Sequence, residues 1–184
     1  MESRSGAAAW HEEHVYFERL LDLLESEIEV FASGERPNYA LMLDVIEYLR
    51  EYADRYHHPR EDRVFSILEQ RVPQLAPELL HLRQQHRVIA RAGQALAGYL
   101  DQAVEGALVV RAEVEAAAAT YVLYYRNHIA TEEGEAVSRG AATLTAAEWQ
   151  DVADSATVIF DPLFGANPQE RYRELLHYLG QKPS

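Results

Sequence analysis

Two pairs of residues, His57 with Glu61 and His128 with Glu132, stand four positions apart in stretches whose apolar residues recur at helical spacing. In a helix a four-residue step turns the chain by only about 40°, so an imidazole and a carboxylate face one point from a rigid surface. His14 and His86 occupy places where a core stripe calls for an apolar residue. The first stripe runs Trp10, His14, Phe17, Leu21, Leu24 and Ile28; another runs Leu79, Leu82, His86, Ile89, Gly93, Leu96 and Leu100. The two pairs lie on stripes of their own: Leu49, Ala53, His57, Glu61, Val64 and Leu68, and then Val114, Ala117, Tyr121, Tyr124, His128 and Thr131. Four imidazoles and two carboxylates are therefore expected to converge in one core. An unpaired buried polar group costs on the order of 1–3 kcal/mol, and an ionised carboxylate costs more. Metal ligation removes that cost. Mixed nitrogen and oxygen donors suit iron, manganese or zinc, and six protein donors suffice for two ions with bridging carboxylates. The competing reading of the same residues is an internal polar network without metal.

The elements that must position these donors are long helices. The spacing predicts a first helix over 8–33, stopped by Gly34 and the turn ending at Pro37, and a second over 38–70 that contains Pro59. Proline inside a helix removes a hydrogen bond and kinks the rod. A third helix follows the Pro73 and Pro77 region and runs to Glu105; a fourth spans 108–140. Short connections and the absence of alternating strand patterns predict an all-α, up-down-up-down four-helix bundle over residues 1–140. Thr145 through Glu148 form a capping-box signal for a short helix with Trp149, Asp161-Pro162 marks a turn, and Tyr172, Leu175, Leu176 and Leu179 pattern a last helix. Residues 141–184 hold too little core for a domain of their own and are expected to pack on the bundle as a short C-terminal helical extension.

Composition narrows the function classes. With 184 residues and 48% hydrophobic content the chain fits one folded domain. A net charge of −13 argues against nucleic-acid and anionic-membrane partners, which need basic patches. Without cysteine there is no disulfide, no thiolate metal site and no catalytic thiol. The N-terminal stretch shows no apolar leader core and no run reaches the length of a membrane span, so a soluble cytoplasmic protein is the expectation.

The chain resembles the hemerythrin-like family, also called HHE cation-binding proteins. The resemblance is carried by His14 with Phe17, by His57-His58-Pro-Arg-Glu61-Asp62, by Gln85-His86-Arg-Val-Ile89 and by His128-Ile-Ala-Thr-Glu132-Glu133. Asp161-Pro-Leu-Phe-Gly165, followed by Tyr172-Arg-Glu-Leu175, is similar to the tail of its longer bacterial members. The resemblance implies two iron ions in a non-haem, oxo- or hydroxo-bridged centre, with Glu61 and Glu132 bridging and His14, His57, His86 and His128 terminal. Manganese or zinc are the alternative metals. One position departs from the pattern of the oxygen carriers, which place a second histidine one turn before the third-helix ligand: here that position is Leu82. His81, five residues from His86, lies about 140° around the helix and reaches the site only if the helix is distorted. An iron with an open position, filled by water, a tyrosine or an exogenous ligand, is the expected consequence.

Bland readings are assigned to the remaining conspicuous residues. His58 is expected to point outward beside His57, with a His58/Asp62 pair as an alternative register; Glu133 is expected on a solvated face. Tyr124, one turn before His128, is the tyrosine considered for a role at the centre. The function expected is a di-iron protein that binds oxygen, nitric oxide or peroxide for sensing, storage or protection. A di-iron enzyme with peroxide-decomposing or oxidase activity, and an iron-handling protein, are the alternatives. A homodimer is left open.

Overall fold

The computed structural model describes residues 6–155 and 160–181, without the side chains of Phe31, Ala32 and Gln181; the first five residues of the N-terminal stretch read for a leader lie outside the described residues. Described elements are helical throughout: α1 (Gly6–Ala32), α2 (Tyr39–Tyr48), a π-helical segment (Leu49–His57), α3 (His58–Arg71), α4 (Ala76–Val104), α5 (Arg111–Thr131), a second π-helical segment (Glu132–Val137), α6 (Ser138–Thr143), α7 (Ala146–Asp154) and α8 (Arg173–Gln181). Four long rods result, because α2, the first π segment and α3 are continuous, as are α5, the second π segment and α6. α1 packs on α5, α5 on α4, α4 on α2, and α2 back on α1, an arrangement compatible with a four-helix bundle.

Local chemistry sets the ends of these rods. Gly34, at φ +86°, takes the left-handed conformation that closes α1, and Gly106, at φ +82°, does the same after α4. The Asn38 side chain accepts from the Leu41 N–H at the start of α2. Thr145 and Glu148 form the predicted capping box of α7.

Inside the second rod Pro59 sets the main departure from a regular helix. It has no N–H to donate, and its ring crowds the carbonyl four residues back. The rod accommodates it by widening: the His58 N–H bonds to the carbonyl of Ala53, five residues away. The carbonyl of Tyr56 accepts from the Arg60 side chain, Nε at 3.3 Å. The kink expected from Pro59 thus takes the form of a π segment.

Two apolar clusters bracket the bundle interior. One contains Phe17, Leu21, Tyr48, Tyr52, Leu96, Tyr121, Tyr125 and Ile129, and extends to Leu163, Tyr172, Leu175 and Leu179 of the tail. The other contains Trp10, Val64, Phe65, Leu79, Leu82, Val137 and Trp149. α7 rests on α1 and α3, and α8 on α1 and α2. Asp161 fixes the tail turn: it accepts from the N–H groups of Leu163 and Phe164, each at 2.8 Å, and from the Tyr48 hydroxyl at 3.0 Å. No helix among the described residues is long and apolar enough to cross a membrane.

Candidate metal centre

All six residues singled out in the sequence, His14, His57, Glu61, His86, His128 and Glu132, are buried and lie together between the two apolar clusters. Their donor atoms face inward. Glu61 Oε1 lies 2.9 Å from His57 Nε2 and 3.2 Å from His14 Nε2, while Oε2 lies 3.5 Å from His86 Nε2. Glu132 mirrors this: Oε2 is 3.2 Å from His128 Nε2 and 3.5 Å from His14 Nε2, and Oε1 is 3.3 Å from His86 Nε2. Each carboxylate therefore reaches imidazoles contributed by several rods.

A seventh residue joins them. His58 is buried, not directed outward as expected, and with Glu61, His86 and His128 it forms a group whose ligand atoms lie within 4.8 Å of one another. His14, His57 and Glu61 form a second such group. The correction follows from the π segment. A widened turn rotates successive side chains through a smaller angle, so both His57 and His58 turn inward. The His58 ring stacks on His86 with centroids 4.2 Å apart. Leu82 packs in the apolar cluster and His81 is exposed, its Nε2 accepting from Gln85 Nε2 at 3.0 Å. Position 82 offers no imidazole, and the additional one in the cluster, His58, comes from the neighbouring rod.

The opposite nitrogen of each ring is also engaged. His14 Nδ1 donates to Glu133 Oε1 at 2.6 Å, His86 Nδ1 to Asp62 Oδ1 at 3.1 Å, His128 Nδ1 to Gln85 Oε1 at 3.0 Å, and His57 Nδ1 to Glu13. His58 Nδ1 lies 3.3 Å from Asp54, and its Nε2 accepts from the Tyr125 hydroxyl at 3.4 Å. For His14, His57, His86 and His128 an acceptor on Nδ1 fixes a proton there and leaves Nε2 as the nitrogen turned toward the centre, the arrangement that orients histidines toward a metal. Glu133 thus holds His14 and does not merely face solvent. Tyr124 is half exposed, and the buried tyrosine beside His58 and His128 is Tyr125. The fourth stripe runs through Ala118, Tyr121, Val122, Tyr125 and Ile129, because a true 3.6-residue period drifts away from strict alternation of threes and fours.

Electrostatics within the cluster are those of donors crowded without a cation. Burial alone would depress the His14 pKa, yet hydrogen bonds to Glu133 and Glu61 lift it to about 10. For His86 burial is likewise overcome, by Asp62, Glu132 and Glu61, to about 11. His58 and His128 go the other way, held well below the usual range by burial and by the neighbouring His86. Burial and the adjacent Glu61 raise Glu132 to about 7. Protons on His14 and His86 occupy the role that a cation would fill. Even so, Glu61 Oε2, Glu132 Oε2 and His128 Nε2 remain buried without a hydrogen-bond partner. Orphaned atoms at the centre of a converging donor set fit a metal, since each would be satisfied by ligation.

Glu13, Asp62, Gln85 and Glu133, which accept from the imidazoles, and Asp54, which lies beside His58, were not read from the sequence as a set. Asp54 stands four residues before His58, and Asp62 and Glu133 directly follow the two glutamates, but such spacing is common on solvated helix faces. Glu13 is further engaged by Arg60 Nη2, at 2.9 and 2.6 Å to its two oxygens, and by the Tyr52 hydroxyl at 3.0 Å.

The family model described as hemerythrin HHE cation binding domain matches residues 5–139, well over half of the chain. No curated protein and no solved structure matches it.

Proposed function

The chain belongs to the hemerythrin HHE cation-binding family, and from that premise we propose that it is a non-haem di-iron protein that binds oxygen, nitric oxide or peroxide for sensing, storage or protection. The observation that carries this reading is the division of donors around the two glutamates: His58, His86 and His128 on one side, His14 and His57 on the other. In this assignment Glu61 and Glu132 would be shared between the two irons, and His14, His57, His58, His86 and His128 would complete the donor set. Iron bound there would supply an exchangeable position for a small exogenous ligand, and manganese or zinc could occupy the same donors. The remaining residues orient and enclose: Glu133, Glu13, Asp62 and Gln85 hold the imidazoles, while Phe17, Phe65 and Tyr125 exclude water.

We place an exogenous ligand on the two-imidazole side because fewer protein donors serve it; surface clefts approach both sides, one of them lined by His58 and His86. A cleft of about 280 Å³ reaches His14 from the surface, lined by Val15, Ile129 and Glu133 among others. The peroxide-decomposing or oxidase alternative drew on incomplete coordination at Leu82; His58 removes that argument, so binding is preferred over turnover. The same reading takes the four rods to alternate in direction and residues 141–184 to belong to the one domain. A cytoplasmic location accords with this function.

Metal content and an optical spectrum, recorded on protein from iron-supplemented cells before and after adding azide, test the proposal. Two irons per chain with near-ultraviolet bands that shift with azide are expected. Wild-type protein that holds only zinc, or no metal, and resists anaerobic ferrous reconstitution would overturn the di-iron reading.

A further inference from the structure

A second cavity lies outside the donor cluster, between α1, α6 and α7. It holds about 400 Å³, within the roughly 300–1,000 Å³ usual for small-molecule sites. Its walls are two indoles, Trp10 and Trp149, and small side chains including Ala9, Ala141 and Ala153. The indoles meet edge to face with centroids 5.0 Å apart. Trp149 is held from both sides. A Cβ at Gly6 would collide with its ring, and one at Gly140 would lie 3.3 Å from it. The aromatic wall is therefore fixed before anything binds.

One charged residue lines this cavity among the described residues, and it is a cation. In a chain of net charge −13, no described carboxylate lines it. Arg60 is buried, its Nη2 bound to Glu13 and its Nε to the carbonyl of Tyr56. Its guanidinium carbon lies over Tyr56, 4.1 Å from the ring centroid. Nη1 has no acceptor among the described residues, and it is not sealed from solvent. Water can satisfy that nitrogen, and an organic ligand would also cover the indole and alanine surface.

We propose that this cavity is a binding site for a small aromatic carboxylate, its ring against Trp10 and Trp149 and its carboxylate on Arg60 Nη1. A guanidinium already anchored on two of its nitrogens is pre-organised, so little side-chain entropy is lost when the third takes an anion. The site does not depend on the metal reading. It does adjoin the donor cluster, because Arg60 holds Glu13 and Glu13 holds His57.

Trp10 and Trp149 are the two tryptophans of the chain, so intrinsic fluorescence reports this cavity directly. Titration of metal-free and iron-loaded protein with benzoate, excited at the red edge of indole absorption and checked by calorimetry, should give a saturable change in both forms. Benzyl alcohol and acetate, each lacking half of the recognition, should bind at least tenfold more weakly. Ala153→Phe fills the cavity without touching charge and should abolish the response while leaving helical circular dichroism and the melting temperature near wild type. Arg60→Gln should weaken benzoate binding at least tenfold without weakening benzyl alcohol. Equal binding of benzoate and benzyl alcohol, no saturation in any form, or unaltered binding by Ala153→Phe would each overturn the proposal. Loss of iron binding alone would leave it standing.

Discussion

The second and fourth rods carry the same His-x-x-x-Glu motif and the same kind of helical defect, yet they deliver different donors. In the second rod the π segment ends at His57, and the widened turn brings two adjacent imidazoles, His57 and His58, into the core together with Glu61. In the fourth it begins at Glu132, after His128, and directs two adjacent carboxylates toward the site, Glu132 into its centre and Glu133 onto His14 Nδ1. Where the defect falls relative to the histidine decides which extra residue turns inward. One rod gains a nitrogen donor, the other an acceptor that orients a nitrogen donor. A motif of four-residue spacing, identical in the two rods, thus specifies an asymmetric centre once the local helix geometry is included.

The comparison breaks most completely at Glu61, the residue that touches both groups. Glu61→Ala should abolish metal retention under mild chelation, a larger loss than the roughly 10–100-fold that follows removal of an outer partner. Elemental analysis after desalting checks this, and an unchanged metal content would show that Glu61 does not join the two sides. His58→Leu should act on one side only. Metal per chain is expected to fall from two toward one, with the azide response kept at the His14 and His57 side. His14→Leu should give the reverse, keeping the metal of the three-imidazole side and losing the azide response.

Pro59→Ala tests the origin of the asymmetry. With an N–H restored at position 59 and the ring clash removed, the second rod can return to regular α geometry, which rotates His58 away from His86. About tenfold weaker metal binding is expected, with helix content unchanged or slightly higher. Full affinity in this variant would mean that packing against His86 and Tyr125, and not the proline, holds the π segment open. A smaller effect, near the lower end of the same range, is expected for Glu133→Gln, which keeps a hydrogen bond to His14 but removes the charge.

The contrast between the rods also marks how far the sequence could be read. The apolar stripes through Leu21, Ala53, Leu96 and Val114 placed all four rods, and the buried positions of His14, His57, His86 and His128 followed from them. His58 did not, because a stripe counted at 100° per residue puts the neighbour of an inward residue on the flank. Pro59 was the available signal: a proline deep in an otherwise uninterrupted helical pattern requires a local defect, and the defect resets the phase. Tyr124 and Tyr125 exchanged roles for a related reason, since a 4-3 alternation gains error over the six turns of α5 whereas burial follows the real period. The orienting shell was least legible. Asp54, Asp62, Glu13 and Glu133 look in sequence like the other acidic residues of a chain with 30 of them, and only the distances to Nδ1 atoms distinguish them.

A last effect, carried by His14 of the first rod and His86 of the third where they meet Glu61 and Glu132, is in the pH dependence of stability. Without metal, His14 and His86 keep their protons to about pH 10 and 11, whereas in the unfolded chain they release them near the ordinary value of 6.5. Native metal-free protein therefore binds more protons than the unfolded chain above pH 6.5, and its stability falls as pH rises toward those values. Glu132, raised to about 7, acts in the same direction between the ordinary 4.5 and 7. Glu61, depressed, acts oppositely only below 4.5 and does not enter this window. Metal reverses the sign for His14 and His86. Ligation requires proton-free Nε2 atoms, so the loaded native state binds fewer protons than the unfolded chain below 6.5 and an equal number above it. Stability of the loaded protein should then rise to pH 6.5 and level off. Melting curves of the two forms between pH 6 and 8.5 should diverge by several degrees per pH unit, on the order expected when about two protons, those of His14 and His86, separate the native forms of a chain this size. Parallel curves would show that the raised histidine protons are not displaced by the metal, and would place it on other donors than the imidazoles that the two rods bring together.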